Sequence, residues 1–515
     1  MHITRTLFAF LFTVPVMLQA QEGLLDPSFS GDGKVTYDNS GRDENGVDIA
    51  VRPDGKIWVT GNSYDGGADT ETILLMRYNS DGTPDNTFFG DGVEELSQGT
   101  GYTFSTCMVL QADGSLLIGG YYIDDLGYSA PLVIKVDANG NPVPGFGTNG
   151  FALGPADGYR VTDLGVQSTG DIVITVATTL EIVPGVYSVT SSGTFGSAQH
   201  YILCSNNNKF IGLQVLENDH VLITGYHGYD STSTQFRTLI LALNADLGGD
   251  IDFSPGYICG PLNVQTDGIE YYDSNNPFVF QNDAGNDVAV LDNGDIMVVG
   301  TSVDTTGNAD VYRTALLKVH ADNAEDATFG LGGFQKPYVG SFFRRMLVQG
   351  GDRIIAVGGN YNGALALARF NTDGVLDASF GDQGGFSHTT IGSFSTNPNA
   401  MAVQTDGRIL VVGTAVNNNN DVAVARYNGT VVGVNESDQD NTVRVFPNPS
   451  SGSFTVQLPI GSLRLSLSDA AGRIVVQHEL IGRTSMQLEI FRPGIYHLVI
   501  ESTEGRSVQR VVVIR

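Results

Sequence analysis

Two oxygen-rich loops are the most direct candidates for chemistry in this chain. Asn79-Ser80-Asp81-Gly82 with Asp85, and Asn371-Thr372-Asp373-Gly374 with Asp377, each gather several oxygen donors within a few residues. Calcium takes about six to eight oxygens, more than either loop supplies, and the spacing is not that of an EF-hand. Asn and Asp stabilise such turns without a metal, so the loops read as turns, with calcium as the one cofactor candidate. The eight His form no HExxH or other close metal pair, and there is no Gly-x-Ser-x-Gly elbow and no Gly-Lys-Ser/Thr phosphate loop. Gly145-Phe146-Gly147-Thr148-Asn149-Gly150 fits GxGxxG but lacks a βαβ setting, so it reads as a run of turns. Among 56 acidic residues no catalytic pair stands out, although carboxylates for glycosidic chemistry could be assembled from distant segments without a local signature. No catalytic residue is assigned, and the reading leans away from an enzyme.

Composition limits what must position such groups. The 515 residues include 65 Gly and are 41% hydrophobic and 16% charged, which describes a folded chain with many turns. The net charge is -29. Residues 443–515 run against it, with eight Arg, no Lys and five acidic residues. An acidic body repels phosphate backbones and argues against nucleic acid as a partner. Cys107, Cys204 and Cys259 form no CxxC pair, and only a Cys204–Cys259 bridge suggests itself, since the two lie about one repeat apart.

Residues 1–20 read as a secretory signal. His2 and Arg5 precede an apolar run from Leu7 to Leu18, and cleavage would fall between Ala20 and Gln21. The run is too short to span a bilayer, and no other stretch qualifies as a transmembrane segment.

Self-comparison finds a turn-plus-strand unit seven times. Its turn position falls at Gly55, Gly114, Gly170, Asp219, Gly294, Asp352 and Gly407, with gaps of 59, 56, 49, 75, 58 and 55 residues. Asp-Gly supplies the positive dihedrals of a tight hairpin, and the apolar run after it demands cover on both faces. Six residues on, a Gly recurs at 61, 120, 225, 300, 358 and 413, which is read as closing the strand; the third copy has Val176 instead. A second strand ends on a basic residue, as in Leu74-Leu75-Met76-Arg77-Tyr78 and Ala366-Leu367-Ala368-Arg369-Phe370. A tail with Asp, Phe and Gly follows, as at Asp85 to Phe88 to Gly92 and Asp377 to Phe380 to Gly384. The region from Leu25 to Val35 is such a tail without a preceding strand, and Arg426-Tyr427-Asn428-Gly429 is a strand end without a tail. The first piece should complete the last unit and close a ring. The expected fold is all-β: a seven-bladed β-propeller over residues 21–429, a linker at 430–442, and a small Ig-like β-sandwich at 443–515.

The repeat, clearest at Val403 to Gly413 and Leu367 to Gly384, resembles the bacterial delta-60 repeat, which implies a β-propeller and brings no catalytic residues. Residues 443–515 resemble the type A sorting domain of the type IX secretion system. The matching residues are Phe446-Pro447-Asn448-Pro449 with Gly452, Asp469 to Gly472-Arg473, and Gly494 to Tyr496. That resemblance implies passage through the periplasm, contact with the type IX machinery, and release or attachment at the outer surface. The functional expectation is an exported, non-catalytic binding or display module for an unknown glycan or protein. The alternatives are a polysaccharide hydrolase or lyase working at the channel mouth, and a structural or adhesive surface component.

Overall fold

The computed structural model describes residues 21–429 and 444–513, apart from short stretches such as 201–207, 229–235 and 273–281. The expected signal at 1–20, the expected linker at 430–442, Cys204 and the expected motif residues Pro447, Asn448, Pro449, Gly452 and Gly472 lie outside the described residues. Cys107 is buried and unpaired, and Cys259 ends the strand Tyr257–Cys259. The chain divides into two compact units, the second beginning at Gly433.

The first unit is built, among the described residues, from seven four-stranded antiparallel sheets, numbered here as blades 1 to 7 along the chain. The second strand of each is apolar along most of its length because neighbouring blades cover both faces; Ile57 to Ser63 is wholly buried in blade 1. Apolar clusters join each blade to the next. Blades 1 and 2 share Trp58, Ile73, Leu75, Leu116 and Leu132, and blades 7 and 1 share Leu410, Val412, Val422, Ile49 and Leu74. The ring therefore closes.

Closure uses the N-terminal tail. Strand Lys34–Tyr37 pairs antiparallel with Asn420–Tyr427, with Lys34 opposite Ala425 and Tyr37 opposite Val422, and Leu25 bridges to Tyr427. The last blade thus takes its outer strand from the start of the chain, as the unpaired tail predicted. The 75-residue gap between the fourth and fifth units holds a two-stranded hairpin, Tyr257–Cys259 with Val264–Thr266, ahead of the outer strand of blade 4.

The recurrent tail is a mortise between blades. The Arg77 guanidinium lies 4.7 Å from the Phe88 ring centre while its Nε donates to Asp85 at 2.5 Å. Arg369 repeats this over Phe380 with Asp377, and Arg426 over Phe29 with Asp26. Each Phe then packs on the turn of the following blade. A Cβ on Gly140, at φ +88°, would come within 2.3 Å of Phe88, so the turn requires glycine.

The second unit is a two-sheet sandwich of three and four strands. Phe454, Val456 and Leu488 of one sheet pack with Leu465, Leu498, Ile500 and Val511 of the other. Among the sorting-motif residues, Phe446 ends a strand paired with Ser453–Gln457, and Asp469 stands opposite Tyr496. Arg473 is exposed, Gly494 opens a strand, and buried Tyr496 donates its hydroxyl to the Arg492 carbonyl at 2.8 Å.

Candidate functional site

The site begins with a backbone irregularity that all seven blades share. Each inner strand carries a β-bulge against the second strand, for example between Gly46 and Asp48, Ser105 and Cys107, and Phe343 and Arg345. The extra residue in blades 1 to 7 is Val47, Thr106, Thr162, Ile211, Asn286, Arg344 and Asn399. Bulges re-aim a side chain out of the ladder.

This geometry corrects the sequence reading of the recurrent glycine. It does not close the second strand; that strand continues, as Leu116–Ile123 does past Gly120. The glycine instead faces the residue just before the bulge: Gly61 opposite Gly46, Gly120 opposite Ser105, and Gly358 opposite Phe343. A Cβ on Gly120 would sit 1.8 Å from the Phe104 carbonyl oxygen. The glycine makes room for the bulge. In blade 3, Val176 opposes Val161 at the same register, and the bulge is still present.

The seven extra residues converge on the channel. Six of them line a cavity of about 560 Å³, together with Asn45, Lys209, Phe342 and Arg345. The seventh, Thr162, lines an adjoining cavity of about 350 Å³ with Tyr121, Arg160, Lys209 and Arg345. An aromatic row leads away from the second cavity, with Tyr121 stacked on Phe104 at 4.5 Å and Phe104 on Tyr102 at 6.5 Å.

A carboxylate layer supports the floor. Asp48, Asp163 and Asp287 each follow a bulge, in blades 1, 3 and 5. Each accepts from the next residue's N–H and from the inner strand of the following blade. Asp48 takes the Met108 N–H at 2.7 Å, Asp163 that of Leu213 at 3.0 Å, and Asp287 that of Met346 at 2.8 Å. Asn286 and Asn399 make comparable bridges to the carbonyls of Phe343 and Gly46, both at 2.7 Å. Burial pushes Asp48 and Asp287 up to about 6, against the pull of Arg345, and raises Asp163 as well. Burial alone would lower Arg345, but the carboxylates of Asp163, Asp287 and Asp48 hold it above its ordinary value. Burial, helped by Asp163 and Asp48, drives the Cys107 thiol well up, so it is a poor nucleophile.

The oxygen-rich loops lie elsewhere, in the turns of the mortise. Asp81 accepts the Thr83 N–H at 3.0 Å, and the Asn371 side chain accepts the N–H groups of Asp373 and Val375 at 3.1 and 2.9 Å. Asn79 donates to the Thr83 hydroxyl at 3.0 Å. Asp85 is engaged by Arg77 and Lys56, and Asp377 by Arg369. Two further groups whose oxygen or nitrogen atoms lie within 4.8 Å of one another are Asp38–Glu44–Asp421 and Asp295–His320–Asp326. In the second, Lys318 already reaches Asp295 at 3.3 Å and Asp326 at 3.1 Å. Sequence reasoning missed the bulge residues; their one trace was the glycine opposite.

Comparison with known proteins bears on both units. Residues 444–514 match the model of the secretion system C-terminal sorting domain. Residues 52–88, 111–146, 352–380 and 404–430 match a β-propeller domain of unknown function, DUF5122. No curated protein matches the sequence. Among solved structures, polysaccharide lyase Uly1 is 12% identical, with 80% of this chain and 98% of that one covered and a TM-score of 0.44. The β-propeller domain of the trilobed protease from Pyrococcus furiosus is 7% identical, with 72% and 89% covered and a TM-score of 0.40. PorZ, a surface component of the type IX secretion system of Porphyromonas gingivalis, is 10% identical, with 91% and 81% covered and a TM-score of 0.25. Such distant likenesses carry no functional argument. No helix among the described residues is long and apolar enough to cross a membrane. The chain is a β-propeller protein with a type IX secretion C-terminal sorting domain, bound for the cell surface or the extracellular space.

Proposed function

We propose that this exported propeller is a binding or display module whose ligand site is the channel mouth. One observation carries the reading. All seven blades repeat the bulge, and blades 1, 5, 6 and 7 the mortise, yet the seven bulge residues are an apolar Val and Ile, two Thr, two Asn and an Arg. A repeated scaffold that presents an unrepeated ring has the makings of an asymmetric recognition surface, concave and of ligand size. Among the described residues, neither cavity lining contains a carboxylate, so neither offers the paired acids of a glycosidase. The test is a glycan array and a pull-down with the propeller, followed by calorimetry with Arg344→Ala. A ligand whose affinity falls in the variant supports the site. A ligand bound equally by both proteins places binding elsewhere.

A further inference from the structure

We infer that the channel mouth takes an anionic glycan, a sugar segment bearing carboxylate or sulfate groups. The inference rests on the binding reading above and adds the chemical class of what is bound.

Charge is the first ground. The chain holds 56 acidic residues against 27 Lys and Arg, yet the two cavities are lined by Arg160, Lys209, Arg344 and Arg345. Arg345 is compensated from below by the carboxylate layer. Arg344 is exposed; its guanidinium hydrogen-bonds the neutral Asn399 side chain at 2.9 Å and makes no ion pair among the described residues. Arg160 lies 4.3 Å over the Tyr121 ring, and its buried Nε has no hydrogen-bond partner among the described residues. A guanidinium is a fork of donors suited to planar and tetrahedral oxyanions. Two of them open to a cavity, in a body this acidic, are an electrostatic feature that an anion would satisfy.

Shape and surface favour a sugar over a bare anion. Cavities of about 560 and 350 Å³ share Thr106, Lys209, Ile211 and Arg345, so they form one concavity larger than a single oxyanion needs. Asn45, the Asn286 side-chain oxygen and the Thr106 hydroxyl suit sugar hydroxyl groups, which both donate and accept. Nucleic acid carries a phosphate at every residue, so the net charge of -29 weighs more heavily against it than against a sugar segment with one or two oxyanions at the Arg residues.

The test is calorimetry of the exported chain, lacking residues 1–20, with an oligogalacturonate, a sulfated dextran oligosaccharide, an unmodified dextran oligosaccharide, inorganic sulfate and a single-stranded oligonucleotide. Binding of at least one anionic oligosaccharide is expected, about tenfold or more above the neutral one and weakening with added salt. Arg344→Ala and Arg160→Ala should each reduce affinity about tenfold without altering the melting curve. Equal binding of the neutral oligosaccharide overturns the charge assignment and leaves the binding site standing. Inorganic sulfate bound as tightly as the oligosaccharides reassigns the site to a free anion. Tighter binding of the oligonucleotide, or no binding of any probe, overturns the inference; anionic binding unaffected by both variants overturns the site as well.

Discussion

The mortise and the bulge use repetition in opposite ways. At the mortise the same side chains recur: a cation, an Asp and a Phe in blades 1, 6 and 7, with Lys318, Asp326 and Phe329 standing in for them in blade 5. At the bulge only the backbone recurs, and the side chain changes from blade to blade. The first region therefore answers to folding alone, since identical joints do identical work. The second is left open to something outside the fold. Substitutions should separate the two, with mortise changes read in stability and bulge changes in binding.

The largest effect is expected at the mortise. Asp85 is 2% exposed and neutralises Arg77 and Lys56. Asp85→Ala leaves both cations uncompensated and should cost about 3–5 kcal/mol in denaturant unfolding. Phe88→Ala opens the seat against Gly140 and should cost a similar amount, about 3–5 kcal/mol. A loss below 1 kcal/mol in both would break the comparison at its structural end.

Next comes the support of the bulge. Gly120→Ala drives a Cβ toward the Phe104 carbonyl and should destabilise by about 3 kcal/mol through strain. Thr106→Ala, two residues beyond that carbonyl, should change stability by about 0.5 kcal/mol at most. Equal effects would mean that the bulge is a packing feature rather than a platform.

pH separates the two regions as well. Asp326 in the mortise is lowered to about 2, first by the Thr328 hydroxyl, so its contribution is present above the ordinary carboxylate value and lost as pH falls toward 2. Asp48 and Asp287 are raised to about 6, so the folded state binds their protons more tightly than the unfolded chain. Their contribution is full below about 3.8 and lost as pH rises through about 6. Denaturant midpoints measured from pH 4 to 7 should therefore fall less steeply with rising pH in Asp48→Asn/Asp287→Asn than in the parent. An unchanged slope would mean that these carboxyls titrate normally in the folded state.

What could be read from the sequence follows the same division. The mortise repeats its residues, so self-comparison found the tail from Asp85 to Phe88 and, from the lone tail at Leu25, the closure of the ring. The turn at Asn79-Ser80-Asp81-Gly82 was also legible, because Asx chemistry is local. The bulge was not. Its extra residue has no preferred type, and Val47, Ile211 and Arg344 share nothing that a repeat search could align. Its one mark lies on the neighbouring strand, where Gly120 looks like a strand end until pairing shows the carbonyl it must admit. The carboxylate layer was hidden for a related reason: Asp48, Asp163 and Asp287 are far apart in sequence and meet only around a closed ring.

The most direct test of the account is the combined variant Thr106→Ala/Ile211→Ala/Arg344→Ala, compared with the parent for unfolding free energy and for calorimetric affinity toward a sulfated dextran oligosaccharide. The account predicts stability within about 1 kcal/mol of the parent and binding reduced beyond detection. Undiminished binding, or a loss of binding explained by unfolding, would contradict it.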